Sequence, residues 1–126
     1  MLKEFEHNFC CNLKNENYVR VTVEGAFNAS DHLQMIEDII SREFWKPGMN
    51  RLIDSLNVDY SKANMNIMSQ ACDNLKRYDK ENGSGKIALL MGTVSNYGKG
   101  RQFETLTNEG VSAKIRIFLD EYQAIN

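Results

Sequence analysis

Apolar and polar residues alternate from Phe5 to Leu13. Phe5, His7, Phe9, Cys11 and Leu13 fall on one face, and Glu6, Asn8, Cys10 and Asn12 on the other. A period of two is that of a strand with one face in water. Lys14-Asn15-Glu16-Asn17 is a polar turn, after which Val19, Val21 and Val23 alternate with Tyr18, Arg20 and Thr22. The two runs predict a β-hairpin. Beyond Gly25, the stretch from Asn28 to Asp31 is rich in side chains that can accept hydrogen bonds from the open amides of a helix start. Leu33, Ile36, Ile40 and Phe44 then recur at helical spacing, and Pro47-Gly48 stops the pattern. Leu52, Ile53 and Leu56 predict a short strand. Met65, Met68, Ala71, Cys72, Leu75 and Tyr78 predict a second helix that begins near Ser61 and leaves through Asn82-Gly83-Ser84-Gly85.

The run Ile87-Ala88-Leu89-Leu90-Met91 suits a strand buried on both faces, although a sheet covered on one side is also compatible with it. Gly92 to Gly100 reads as a loop, Phe103 and Leu106 as a third helix, Ile115 to Leu119 as the last strand, and Asp120 as the cap of a short terminal helix. The order is ββαβαβαβα. It predicts an α/β fold with a mixed, mostly parallel sheet of about five strands, an N-terminal hairpin and about four helices. No repeat or linker interrupts residues 1–126, so one domain is expected.

Composition changes this picture little. Hydrophobic residues are 42% and charged residues 25% of the 126, an ordinary globular balance, and the formal net charge of -2 leaves no basic footprint for nucleic acid. Cys10, Cys11 and Cys72 form no Cys-x-x-Cys or Cys/His cluster, which argues against structural zinc and fits free thiols in a reducing cytoplasm. The segment MLKEFEHNF lacks the apolar run of a signal peptide, and no stretch reaches the length of a membrane span. A cytoplasmic location is the resulting expectation, with no cofactor and no metal.

"RLIDSLNVDYS", "KIALLMG", "YGKGRQFETL" and "AKIRIFLDEYQAIN" stand in an order that resembles the STAS/SpoIIAA-like superfamily, and more closely its small bacterial STAS/SEC14-like proteins of unknown function. Asp54 matches the aspartate that closes the third strand in that pattern. Gly98, Arg101 and Phe103 match the opening of its third helix, and Ile115, Ile117, Phe118 and Asp120 match its last strand and the acidic helix start after it. The resemblance covers nearly the whole chain and implies a SpoIIAA-like fold. The anti-sigma-factor antagonists of the superfamily carry a phosphorylatable serine in an Asp-Ser-Ser-Gly turn. Here the corresponding loop reads Asp59-Tyr60-Ser61-Lys62-Ala63, without that motif.

Candidate chemistry is sparse. Ser61 precedes a helix, where a hydroxyl caps open amides, and the resemblance places it in the phosphorylation loop. Asp54 could serve as a base or bond loop amides. Ser55 lacks the glycine elbow of a hydrolase nucleophile. "GTVSNYGKGR" follows a strand and precedes a helix, but its spacing is wrong for a nucleotide-hydrolase loop, and Gly100 stands where Ser or Thr would hold magnesium. Lys99 and Arg101 beside a helix start could hold an anion instead. Asp54, Ser55, Ser61, Lys99 and Arg101 are therefore the candidate interaction or anion-binding residues. His7, on an apolar strand face, is expected to be packed, and His32, in a helix's first turn, exposed. Cys72, Met65 and Met68 are expected in the core.

Three functions compete. The resemblance implies a non-catalytic regulatory or protein-interaction domain with a protein partner. A small apolar-ligand or lipid binding module is the alternative, since CRAL-TRIO domains share a related fold and Phe44, Trp45, Met65 and Met68 could line a cavity. An enzyme built on Asp54, Ser55 and Arg101 comes third. A homodimer is also expected. The first strand should lie at a sheet edge, leaving edge backbone or Tyr18, Arg20 and Thr22 for a neighbour.

Overall fold

The computed structural model describes the backbone of residues 2–11 and 17–119, and the side chains of residues 18–119 except Val94. The elements run β1 (Leu2–Cys11), β2 (Asn17–Ala26), α1 (Ala29–Ile40), β3 (Asn50–Asp59), α2 (Met65–Arg77), α3 (Asp79–Asn82), β4 (Lys86–Leu90), α4 (Val94–Thr107) and β5 (Lys114–Phe118). They form an α/β fold around one five-stranded sheet in the order β1-β2-β3-β4-β5. β1 pairs antiparallel with β2, and the remaining neighbours are parallel. The predicted terminal helix from Asp120 lies outside the described residues.

The hairpin pairs in the register its alternation demands, with Phe5, His7 and Phe9 opposite Val23, Val21 and Val19. From β2 onward each new strand is added on the same side of the last. Right-handed crossovers then place every connecting helix on one face of the sheet, and α1 packs on α2, and α2 on α4. Val19, Val21, Ile53, Ile87, Ile115 and Ile117 face these helices and are buried. The opposite face is not bare at its centre, since Leu52 is 3% and Leu90 0% exposed.

Several boundaries differ from the sequence expectation. α1 ends at Ile40, so Phe44 lies beyond it, and its buried residues are His32, Met35, Ile36 and Ile39. α2 starts at Met65, not near Ser61. Asp59 Oδ1 accepts from the Ser61 amide and bends the chain, and Asn64 Oδ1 then accepts from the Ile67 amide as the cap. The segment expected as a loop before Gly100 is the first half of α4, capped by Thr93. Two glycines inside a helix hid it. Gly100 is needed there for contact, because a Cβ would sit 3.0 Å from the Ile117 side chain.

β3 is ten residues long because it outlasts β4 and continues beside β2. Thr22 pairs with Asp54 but Glu24 with Asn57, so Ser55 and Leu56 stand opposite the single residue Val23. This bulge shifts the strand's phase. Arg51, Ile53 and Ser55 face inward before it, and Val58 after it, while Leu56 is turned out.

At the other end of the sheet, Gly83 has φ 74, and a Cβ on it would lie 2.3 Å from the Gly48 nitrogen. Gly83→Ala should therefore cost about 2 kcal/mol or more in denaturant unfolding, from both the backbone conformation and the clash. Gly98 lies within α4 with nothing within 4 Å of a Cβ. Gly98→Ala should stabilise by about 0.5–1 kcal/mol. Equal effects at the two sites would contradict this packing.

Candidate functional site

Between the inner face of the sheet and the helices lies a cavity of about 80 Å³. A single water needs only about 10–15 Å³ of such volume. The floor is Val23, Ile53, Ile87, Leu89 and Ile115, and the helices contribute Met35, Ile36, Ile39, Met68, Ala71, Leu75 and Phe103. The space exists because small residues stand where helices face the strands. Ala63 and Ala71 on the α2 side and Gly100 on α4 all line it.

Polar groups interrupt the lining at defined points. At the bulge, Ser55 donates its hydroxyl hydrogen to the Leu90 carbonyl at 2.6 Å. Burial pushes the nearby Tyr60 phenol up to about 12. Lys99 reaches across from α4 to donate to the Tyr60 carbonyl. His32 is buried between Phe27 and Phe103, with ring centroids at 5.7 Å and 6.3 Å. Asn74 Nδ2 donates to the Ala29 carbonyl and lies 3.2 Å from His32 Nδ1. An amide nitrogen can only donate, so His32 Nδ1 accepts and the ring is neutral with its hydrogen on Nε2. Burial holds this histidine down at about 4, from an ordinary 6.5.

Arg51 lies on the inner face of β3, 4% exposed, at the opposite end of the strand segment from Ser55. Its Nη1 donates to Asn82 Oδ1 at 2.8 Å, and its guanidinium carbon lies 5.0 Å from the Trp45 ring centroid. Trp45 is fixed in turn by its indole N–H, which donates to the Glu81 carbonyl at 2.9 Å. Arg51 Nε and Nη2, and Asn82 Nδ2, are buried without a partner. Burial lowers the guanidinium to about 10, so it remains charged at neutral pH.

Of the five residues nominated from sequence, Ser55 and Lys99 line the cavity. Asp54 is turned to the far face of the sheet, where it accepts from Arg20 Nη2 at 3.0 Å and from the Leu56 amide at 3.2 Å. Ser61 is exposed in the loop after β3 and is not the cap of α2. Arg101 is exposed and pairs with Glu104 at 2.9 Å. Because α4 begins at Val94, Lys99 and Arg101 lie past its first turn and do not sit at a helix start. His32 is buried, contrary to expectation, and Met65 is 53% exposed. Met68 and Cys72 are in the core as expected. Phe44 and Trp45 pack against the core without lining the cavity. The side chain of His7 lies outside the described residues. Arg51, His32 and Tyr60 were missed, although strand parity already placed Arg51 on the same face as Ile53.

No family model matches the sequence, and no curated protein matches it. Among solved structures, the chain is similar to an uncharacterized protein of the DUF3478 family from Shewanella loihica PV-4, which has a SpoIIAA-like fold. The identity is 12%, the TM-score 0.61, and the match covers 99% of this chain and 93% of that one. The likeness shows a SpoIIAA-like fold for this chain. No helix among the described residues is long and apolar enough to cross a membrane.

The neutral His32 gives a pH signature. Its pKa is lowered on folding, so its contribution is complete above about 6.5 and is lost as pH falls toward about 4. Between about pH 6.5 and about pH 5 the protein should lose about 1.5 kcal/mol of unfolding free energy. His32→Leu should flatten that interval, as measured by urea titration at each pH. An unchanged slope in the variant would place His32 in water.

Proposed function

We propose that this chain is a non-catalytic binding domain that holds a small, largely apolar molecule between its sheet and its helices. The observation that supports this reading is the cavity itself. Close-packed interiors seldom leave space of this size unfilled, and its lining is hydrocarbon with a few placed polar groups, the usual make-up of a small-molecule site. Ser55 is a poor nucleophile in this setting, because its hydrogen is directed to a carbonyl and the acceptor nitrogen of His32 is taken by Asn74. A neutral probe such as 1-octanol should bind with an affinity measurable by titration calorimetry. Ala71→Leu, which fills the space, should abolish that binding while far-ultraviolet circular dichroism is retained. Undiminished binding in Ala71→Leu would refute the cavity as the site.

A regulatory or protein-interaction role is the second reading, and self-association is its simplest form. Two observations favour it. β1 is a ten-residue strand at the end of the sheet order, and Leu56, Met65 and Leu119 are large apolar residues left exposed. An edge of this length invites pairing with another strand. Light scattering at micromolar concentration should give twice the 14.5 kDa mass of one chain. A mass of one chain that does not change with concentration would exclude the dimer.

A further inference from the structure

The guanidinium of Arg51 has two usable edges, and only one is occupied. Nη1 is bound by Asn82 Oδ1, whereas Nε and Nη2 are both without partners. These two nitrogens are neighbours on one side of the planar group, and their N–H bonds run parallel. That spacing matches the two oxygens of a carboxylate, which accepts both hydrogens at once. The third unpartnered atom in the cluster, Asn82 Nδ2, is also a donor. Every unmet polar atom here therefore calls for an acceptor, and the centre carries a positive charge that no carboxylate among the described residues meets. A buried charge left in this state is costly unless something compensates it.

Resting on the reading of the cavity as a binding site, we infer that its ligand is an aliphatic monocarboxylate whose headgroup pairs side-on with Arg51 Nε and Nη2. Arg51 lines one end of the cavity, and Ser55 lies four residues further along the same strand, about 13 Å at the usual rise. The hydrocarbon between them is Ile53, Ile87 and Leu89. The ligand this geometry selects is charged at one end and apolar along its length. The edge of Arg51 is sealed from bulk water, so a free small anion with no hydrocarbon to bury gains little by entering. The fork can pair with a carboxylate or a phosphate, but a phosphate monoester brings a second charge into a lining that is otherwise hydrocarbon, which a flat, singly charged carboxylate does not.

Calorimetric titration with octanoate, 1-octanol and octyl phosphate tests the inference. Octanoate should bind about tenfold or more tightly than octanol, the gain expected of charge-assisted hydrogen bonds. Octyl phosphate should be weaker than octanoate. Arg51→Lys, which keeps the charge and removes the fork, should bring the octanoate-to-octanol ratio down toward one. Asn82→Asp is the second variant. It supplies a carboxylate inside the protein that retains the bond to Nη1 and neutralises the centre, and it should lower the same ratio even if Arg51→Lys fails to fold. Equal affinity for octanoate and octanol in the parent protein would overturn the carboxylate inference and leave the cavity reading standing. Octyl phosphate binding as tightly as octanoate would overturn the choice of headgroup. Binding of none of the three would remove both readings.

Discussion

A charged guanidinium lies inside the protein near the start of the central strand β3, and the surrounding structure closes over it. Trp45 lies across Arg51, Asn82 holds one of its nitrogens, and the backbone around Gly48 is drawn against the turn at Gly83. The amide of Gly48 donates to the Asn82 carbonyl at 2.9 Å, tying the loop after α1 to the end of α3. That approach is possible only without a side chain at Gly83, whose φ is also positive. The cap keeps water from the inner end of the sheet and leaves two of the three guanidinium nitrogens unmet. Proteins rarely keep such a group without a compensating partner.

The far end of the same strand is shaped by a different device. Were β3 regular, the parity set by Arg51 and Ile53 would carry Asn57 inward and Val58 outward. The extra residue at Ser55 and Leu56 reverses this, so that Val58 joins the core and Asn57 stays in water. Ser55 keeps its inward place and is tied to the Leu90 carbonyl of β4. The cavity thus runs between a charged, capped end and a hydroxyl-bearing bulge. Ala63 and Ala71 leave the space between, because neither reaches far enough to fill it.

Much of the fold was legible in the sequence. Alternation marked the hairpin and the faces of its strands, the Asn28 region announced α1, and the run from Ile87 marked β4. The SpoIIAA-like resemblance agrees with the architecture that the chain adopts. Helix boundaries were harder to place, for local reasons. Ser61 looks like a cap, but Asp59 takes up its amide first and Asn64 caps three residues later. Gly98 and Gly100 look like loop residues, although Gly100 is small because Ile117 packs on it. The site was legible only in pieces. Ser55 and Lys99 could be nominated as polar groups near strand and helix ends, but a cavity is a property of what three helices fail to fill, which no local pattern records. Arg51 carried a signal that was available: a charged residue in register with Ile53 on an inward face. His32 did not, because only the neighbouring Asn74, Phe27 and Phe103 make its burial tolerable.

The central claim is that the space between β3 and the helices is open and apolar. A crystal pressurised with xenon tests it directly, since xenon enters dry cavities and reveals them by its scattering. The account predicts a xenon atom between Ile53 and Ala71, within reach of Ile36 and Leu75, with the surrounding side chains unmoved. A core in which these side chains meet one another and no xenon is held would contradict it.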